Sequence, residues 1–332
     1  MQVLLAPSAD IAKTILATKP IVLTVEAEYG LFVAEGSRYT AAHHQPVGSP
    51  YAGIHVVAGG RHSPCNDPSI PRLEQGDLIL VSHVDLDTIG GVLRAMPEYA
   101  DLFPRKRDLE WMTLHDPVGK ELFDEQMQLR RDFWALAEYI DVSGPHKISR
   151  ADPAASRAAK QLYAFKAWSK SDTLFRFPQD EASDVTGCII AAGEALRRIF
   201  AGDPELLYAG EDILVEEAIL NRRTFIRRDG DVIIRITDST PCSHLYEPPG
   251  GWSGYAPAIA SYTRSTGAVA ISLADPIPGV SCRAILQELW GPEAGGQDGI
   301  AGSPREKRME ESALYEAVAA LQAAITRARQ SV

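Results

Sequence analysis

Cysteine is scarce and scattered. The four thiols, Cys65, Cys188, Cys242 and Cys282, form no C-x-x-C pair, which excludes a zinc knuckle and a disulfide scaffold. They read as ordinary thiols, with Cys65 in the turn-rich SPCNDP as a structural one. Positive charge is also in deficit. Lys plus Arg total 33 against 44 Asp plus Glu, a formal charge of −11, which excludes a protein that coats duplex nucleic acid by neutralising its phosphates. No apolar run approaches the roughly 20 residues that span a bilayer. The opening MQVLLAPSADIAKTI lacks the basic start and long apolar stretch of a signal peptide, so the expected compartment is the cytoplasm and no membrane partner is expected. Internal repeats and coiled-coil heptads are missing as well. What remains is ordinary: 45% hydrophobic and 23% charged residues over 332 positions fit a globular chain of about two domains.

The pattern along the chain is α/β. Residues 1–75 alternate strand-like runs, IVLTVEAEYG and LFVAEG, with the turn-dense HHQPVGSPYAG, and are expected to form a β-rich N-terminal segment. At Gly76 the character changes. GDLILVSHVDLDTIGGVLRAM reads as a buried strand, a polar turn and a helix opening near a Gly pair, so a parallel-sheet catalytic domain is expected over residues 76–225. Helical patterns fill 120–220. FDEQMQLRRDFWALAEYI places Met127, Phe133, Leu136 and Ile140 on one face, ADPAASRAAKQLYAFKAW carries Pro in its first turn, and SDVTGCIIAAGEALRRIF starts on a Ser/Asp cap signal. Strands return in DVIIRITDS, APAIASY and AVAISLA. A smaller α/β domain is therefore expected over 226–332, its final helix burying Leu314, Val318, Leu321 and Ile325 against a sheet.

The strongest chemical signal is His83-Val-Asp85-Leu-Asp87-Thr-Ile-Gly90-Gly91. It follows LILVS, at the carboxyl end of a strand, where open α/β sheets collect their ligands. Two carboxylates this close repel, and a divalent cation relieves the repulsion, so His83, Asp85 and Asp87 are expected to ligate a metal. The bland alternative is an acidic loop whose aspartates cap the following helix. Further ligands have to come from elsewhere. Asp141 and His146 in EYIDVSGPHKIS follow a helical pattern and are the preferred second cluster. Of the adjacent His43 and His44 in YTAAHHQP, one is expected as a ligand and one as a substrate contact, since neighbours on a strand face opposite ways. His115 and Asp116 precede Pro117 at an expected helix start. The pair is similar to that of the all-helical HD hydrolases, but His83 ends a strand; Asp116 is kept as a bridging ligand, with a helix cap as the equal alternative.

A glycine-rich stretch, LWGPEAGGQDGIAGSPREKR, lies near the C-terminus. Gly295 and Gly296 let backbone approach a ligand and offer N–H groups to an anion, Arg283 and Arg305 can supply charge, and Gln297 is kept with them as a substrate contact, although the stretch is neither a Walker loop nor a Rossmann fingerprint. A tight turn between helix and strand is the alternative.

Together these motifs resemble the DHH phosphoesterase superfamily with its DHH-associated C-terminal domain. SHVDLDTIGG is similar to the first family motif, in the His-x-Asp-x-Asp form of RecJ-like and oligoribonuclease-like members, and LWGPEAGGQDGIAG is similar to the glycine-rich substrate loop. The resemblance implies a two-lobed architecture running from about Gly76 to the end. It also implies metal ligation by His83, Asp85 and Asp87. The sequence departs from the family at two places: no contiguous Asp-His-His is present, only Asp141 and a displaced His146, and Gln297 stands where the loop's His is expected.

The expected function is a divalent-metal-dependent hydrolase in which Asp85, Asp87 and Asp141 act on a metal-activated water, with Mn²⁺ first and Mg²⁺, Co²⁺, Fe²⁺ or Zn²⁺ as alternatives. The substrate is a small molecule, a nucleotide-like phosphoester in the first reading and an amide or other C–N bond in the second. A binding protein that has lost the chemistry on the same scaffold is the competing class, and oligomerisation stays open.

Overall fold

The computed structural model describes residues 1–29, 32–42, 55–56, 63–103, 119–143, 153–178, 180–238, 256–304 and 307–330. It is an α/β protein whose described residues divide into two compact units, with the boundary between Leu214 and Val215. Among the described residues no helix is long and apolar enough to cross a membrane.

The first unit opens on strand β1 (Gln2–Leu5). Ser8 then accepts a hydrogen bond from the Ile11 amide and caps helix α1 (Ala9–Thr18), which buries Ala12 and Ile15 one turn apart. Next come β2 (Ile21–Val25), a small hairpin of β3 (Glu28–Tyr29) and β4 (Phe32–Val33), β5 (Tyr39–Ala42) and β6 (His55–Val56). A 3-10 turn at Pro64–Asn66 precedes β7 (Leu78–Val81), after which Asp85 caps helix α2 (Leu86–Ala95). Helices α3 (Gly119–Ser143) and α4 (Pro153–Ser171), the short β8 (Ser183–Asp184), α5 (Thr186–Phe200) and α6 (Pro204–Arg223) follow. The expected Ser/Asp start of α5 takes a different form. Ser183 and Asp184 belong to β8, from which Asp184 accepts the Thr186 amide at 3.0 Å.

The strand order is β6-β5-β2-β7-β1-β8, parallel throughout except for β8. Successive residues of a strand face opposite sides. Val3, Leu5, Leu23, Val25, Ile79 and Val81 enter one core with α2, α3 and α5, while Leu4 and Leu80 enter a second with α1 and the β3–β4 hairpin. A sheet buried on both faces needs the unbroken apolar runs VLL, after Gln2, and LILV, which is why β1 and β7 lack polar alternation.

This topology corrects two expected boundaries. Residues 1–75 are not a separate β-rich segment, because β7 inserts between β1 and β2 of that segment and completes one sheet with them. The boundary expected at 225/226 falls earlier, inside α6. Hydrophobic pattern reveals a strand but not its partner, and parallel partners are distant in sequence.

The second unit holds a mixed sheet, β13-β14-β12-β11-β10-β9, built from β9 (Phe225–Asp229), β10 (Val232–Thr237), β11 (Ala258–Thr263), β12 (Ala268–Leu273), β13 (Gly295–Gly296) and β14 (Ile300–Gly302). Only β10 and β11 pair in parallel among its described strands. Helices α7 (Cys282–Trp290) and α8 (Glu311–Gln330) cover one face, and the stripe Leu314, Val318, Leu321 and Ile325 is buried as expected.

Helix α2 packs hard against the Pro64–Asn66 turn. A Cβ on Gly90 would press on Cys65 and lie 2.7 Å from the Trp134 ring, and one on Gly91 would lie 2.8 Å from both Pro64 and Val25. Gly90→Ala is therefore expected to destabilise the protein by about 1–3 kcal/mol through overpacking. Gly187, early in α5 with open space where its Cβ would stand, gives the contrast: Gly187→Ala should stabilise by roughly 0.5–1 kcal/mol. Urea denaturation of both variants checks the pair, and equal shifts would contradict this packing.

Candidate metal centre

The order of the strands selects one end of the first sheet. From β2 the chain moves outward to β5, whereas from β7 it moves the other way, past β1 to β8. Neighbouring strands whose connections diverge leave a crevice at their carboxyl ends, the usual ligand position in such sheets. Glu26 stands directly after β2, and Ser82 and His83 directly after β7.

Three side chains meet there. His83 Nε2 lies 3.1 Å from Asp85 Oδ2 and 3.3 Å from Glu26 Oε2. Glu26, His83 and Asp85 each offer one ligand atom within 4.8 Å of the other two, the one such grouping of three among the described residues. Glu26 is 2% exposed, and its backbone holds a φ of +49°, the one non-glycine residue with positive φ among those described. Side chains rarely adopt that region, and strain of this kind, of order 1–3 kcal/mol, gathers at functional sites.

Neighbouring groups hold the trio in place. The Thr88 hydroxyl donates to Glu26 Oε2 at 3.2 Å, and the Thr88 amide donates to Asp85 Oδ1 at 2.9 Å, so a single fully buried residue ties both carboxylates. Ser82 Oγ donates to the Glu26 carbonyl oxygen and lies 2.7 Å from His83 Nδ1. Above the neighbouring strand end, Tyr29 donates its hydroxyl to the Ala6 carbonyl at 2.6 Å, and burial pushes that phenol upward. Burial also works against a charged imidazole at His83, but hydrogen bonds and charge from Asp85 and Glu26 outweigh it and raise the ring to about 10. At Asp85 lost solvation pulls upward, yet the hydrogen bond from His83, its charge and the Thr88 amide hold the carboxyl below its ordinary value.

The structure thus keeps His83 and Asp85 of the expected trio together and brings in Glu26 where Asp87 was expected. Asp85 is also the cap of α2, so the capping alternative describes it as well. Asp87, one step into the helix, points to another neighbour: its Oδ1 accepts from the Cys65 amide at 2.9 Å and from Ser63 Oγ. Asp141, half-buried near the end of α3, acts electrostatically on the same Cys65, and Glu138 one turn earlier accepts from the Ser63 amide and from Asn66 Nδ2 at 2.6 Å. One expected ligand, Asp87, thus serves the 63–66 turn. Burial first, then the charge of Asp87, raises the Cys65 thiol well above its ordinary value, as suits a structural thiol.

In the second unit the glycine-rich stretch is the β13–β14 hairpin. Arg283 Nε donates to the Gly296 carbonyl at 2.6 Å, the Gln297 amide donates to the Ile300 carbonyl at 2.6 Å, and the Cys282 amide donates to the Asp298 carbonyl. Gly296 needs its φ of +138° and its missing Cβ, which would collide with Ile300 and Ala301. The tight-turn alternative describes this geometry, with Gly295 exposed beside it. His43, His44, His115, Asp116, His146 and Arg305 lie outside the described residues.

Glu26 was missed because it sits 57 positions before His83 in a stretch read as a separate segment. One signal was present: a lone acidic residue closing the apolar run IVLTV. No protein-family model and no curated protein matches the chain.

The raised imidazole has a consequence for the metal-free protein. Because the folded value, about 10, lies above the ordinary 6.5, the stabilisation is complete below pH 6.5 and is lost as pH climbs towards 10. The urea midpoint of the parent should fall across that window more steeply than that of His83→Gln. Parallel profiles for the two proteins would count against a charged His83.

Proposed function

We propose that this chain is a divalent-metal-dependent hydrolase of DHH-like, two-lobed build that cleaves a phosphoester in a small nucleotide-like substrate. The observation that carries the reading is the convergence of Glu26, His83 and Asp85 at the carboxyl ends of β2 and β7, the crevice position of an open parallel sheet. Two carboxylates and one imidazole without a thiolate suit Mn²⁺ first, then Mg²⁺, Co²⁺, Fe²⁺ or Zn²⁺. When bound, such an ion supplies a water acidic enough to ionise near neutral pH and polarises the scissile group.

Each residue then has its own part. Glu26 contributes a carboxylate shielded from solvent, and Thr88 keeps it aimed. His83 contributes Nε2, directed between the two acids. Asp85, whose side chain is 53% exposed, leaves one side of the group open to solvent and substrate. Asp87 braces α2 against the 63–66 turn and keeps the Asp85 cap in register with β7. The proposal extends to a cytoplasmic protein, in keeping with its dispersed free thiols.

Chelator-treated protein should show a higher melting temperature on addition of Mn²⁺ and should then hydrolyse bis-p-nitrophenyl phosphate. Glu26→Gln, His83→Gln and Asp85→Asn should each lower that rate by about 100-fold or more and remove the thermal shift. Asp87→Asn should behave otherwise, losing roughly 1–3 kcal/mol without metal while retaining the shift. A parent protein indifferent to Mn²⁺ would refute the reading. Hydrolysis confined to amides would move it to a C–N bond.

A further inference from the structure

Ser82 follows β7 directly, and its hydroxyl carries a single hydrogen. That hydrogen goes to the main-chain carbonyl oxygen of Glu26, a group that can only accept. The same Oγ lies 2.7 Å from His83 Nδ1, so with its proton already committed it can serve that nitrogen only as an acceptor. Nδ1 must therefore carry the hydrogen. The opposite ring nitrogen, Nε2, is then the one left to face Asp85 Oδ2 at 3.1 Å and Glu26 Oε2 at 3.3 Å. The Glu26 carbonyl is itself fixed, since it also accepts the Glu28 amide at 2.9 Å and belongs to the residue with the left-handed backbone. A main-chain oxygen of one ligand residue thereby orients the ring of another, with a hydroxyl between them.

We propose that Ser82 is a positioning residue that sets the tautomer of His83, holding hydrogen on Nδ1 and presenting the Nε2 lone pair to a divalent cation shared with Glu26 and Asp85. The proposal rests on the metal-centre reading above and adds the group that orients its one imidazole. Histidine ligands depend on such a partner at the second nitrogen, and its loss typically costs 10–100-fold in metal affinity. In a free imidazole the hydrogen prefers Nε2, so without Ser82 the ring turns its lone pair away from the two acids.

The test uses the full-length, chelator-treated protein with ¹⁵N-labelled histidine and Zn²⁺ as a diamagnetic probe, the His83 signals being assigned by their loss in His83→Gln. Nitrogen–proton correlation spectra of the parent should show a protonated Nδ1 and a Zn²⁺-shifted Nε2. Ser82→Ala should bind Zn²⁺ about 10-fold to 100-fold more weakly and lose that single pattern, and Ser82→Thr, which keeps the hydroxyl, should restore both. Zn²⁺ bound through Nδ1 in the parent would overturn the role given to Ser82 while leaving the metal centre standing. So would unchanged affinity and an unchanged spectrum in Ser82→Ala. A parent whose His83 signals ignore Zn²⁺ would overturn the metal centre, and the tautomer proposal with it.

Discussion

The insertion of β7 between β1 and β2 is the constraint on which the first unit depends. Leu4, Leu80 and Thr24 stand level across the three strands, as do Leu5, Val81 and Val25. Strands in parallel register end together. The residues after them, Ala6, Ser82 and Glu26, therefore share one edge of the sheet, and whatever chemistry they carry is brought within reach without any loop having to travel. Both faces of the sheet are closed by helices or by the β3–β4 hairpin, which leaves that edge as the place where polar groups meet solvent.

Unfavourable features are concentrated at this edge. A carboxylate that is 2% exposed and a backbone held at positive φ both belong to Glu26. A buried charge is tolerated only when paired, and here the His83 imidazolium and the Thr88 hydroxyl provide the pairing. Elsewhere in the unit, apolar strands, capped helices and tight glycine contacts agree with one another. Local conflict in an otherwise consistent structure is the usual mark of a site kept for its chemistry.

The acidic run His83 to Asp87 turns out to perform two tasks on two sides of α2. Helical geometry separates side chains two positions apart by about 200°, so once Asp85 caps the helix and faces Glu26, Asp87 faces elsewhere. It reaches the Ser63–Cys65 segment, to which Glu138 on α3 also binds. Gly90 and Gly91 make that approach close, and Arg94 adds a hydrogen bond to the Cys65 carbonyl at 3.0 Å. The bracing and the Glu26–His83–Asp85 cluster thus lie next to each other at the start of one short helix.

Much was legible in the chain itself. The α/β class, the buried run LILV, the helix after it, the stripe on α8 and the chemical interest of His83 and Asp85 all follow from local pattern, because periodicity and caps act over a few residues. Reading Asp87 as a third ligand rested on its nearness to Asp85 in sequence, whereas the helix that begins at Leu86 turns it towards the Cys65 amide. Glu26 could not be found that way. Its place beside His83 depends on which strands become neighbours in the sheet, and parallel pairing is decided by the burial of whole layers and by crossover connections. Sequence by itself determined which residues have the chemistry to bind a cation; only the tertiary structure decided which of them meet.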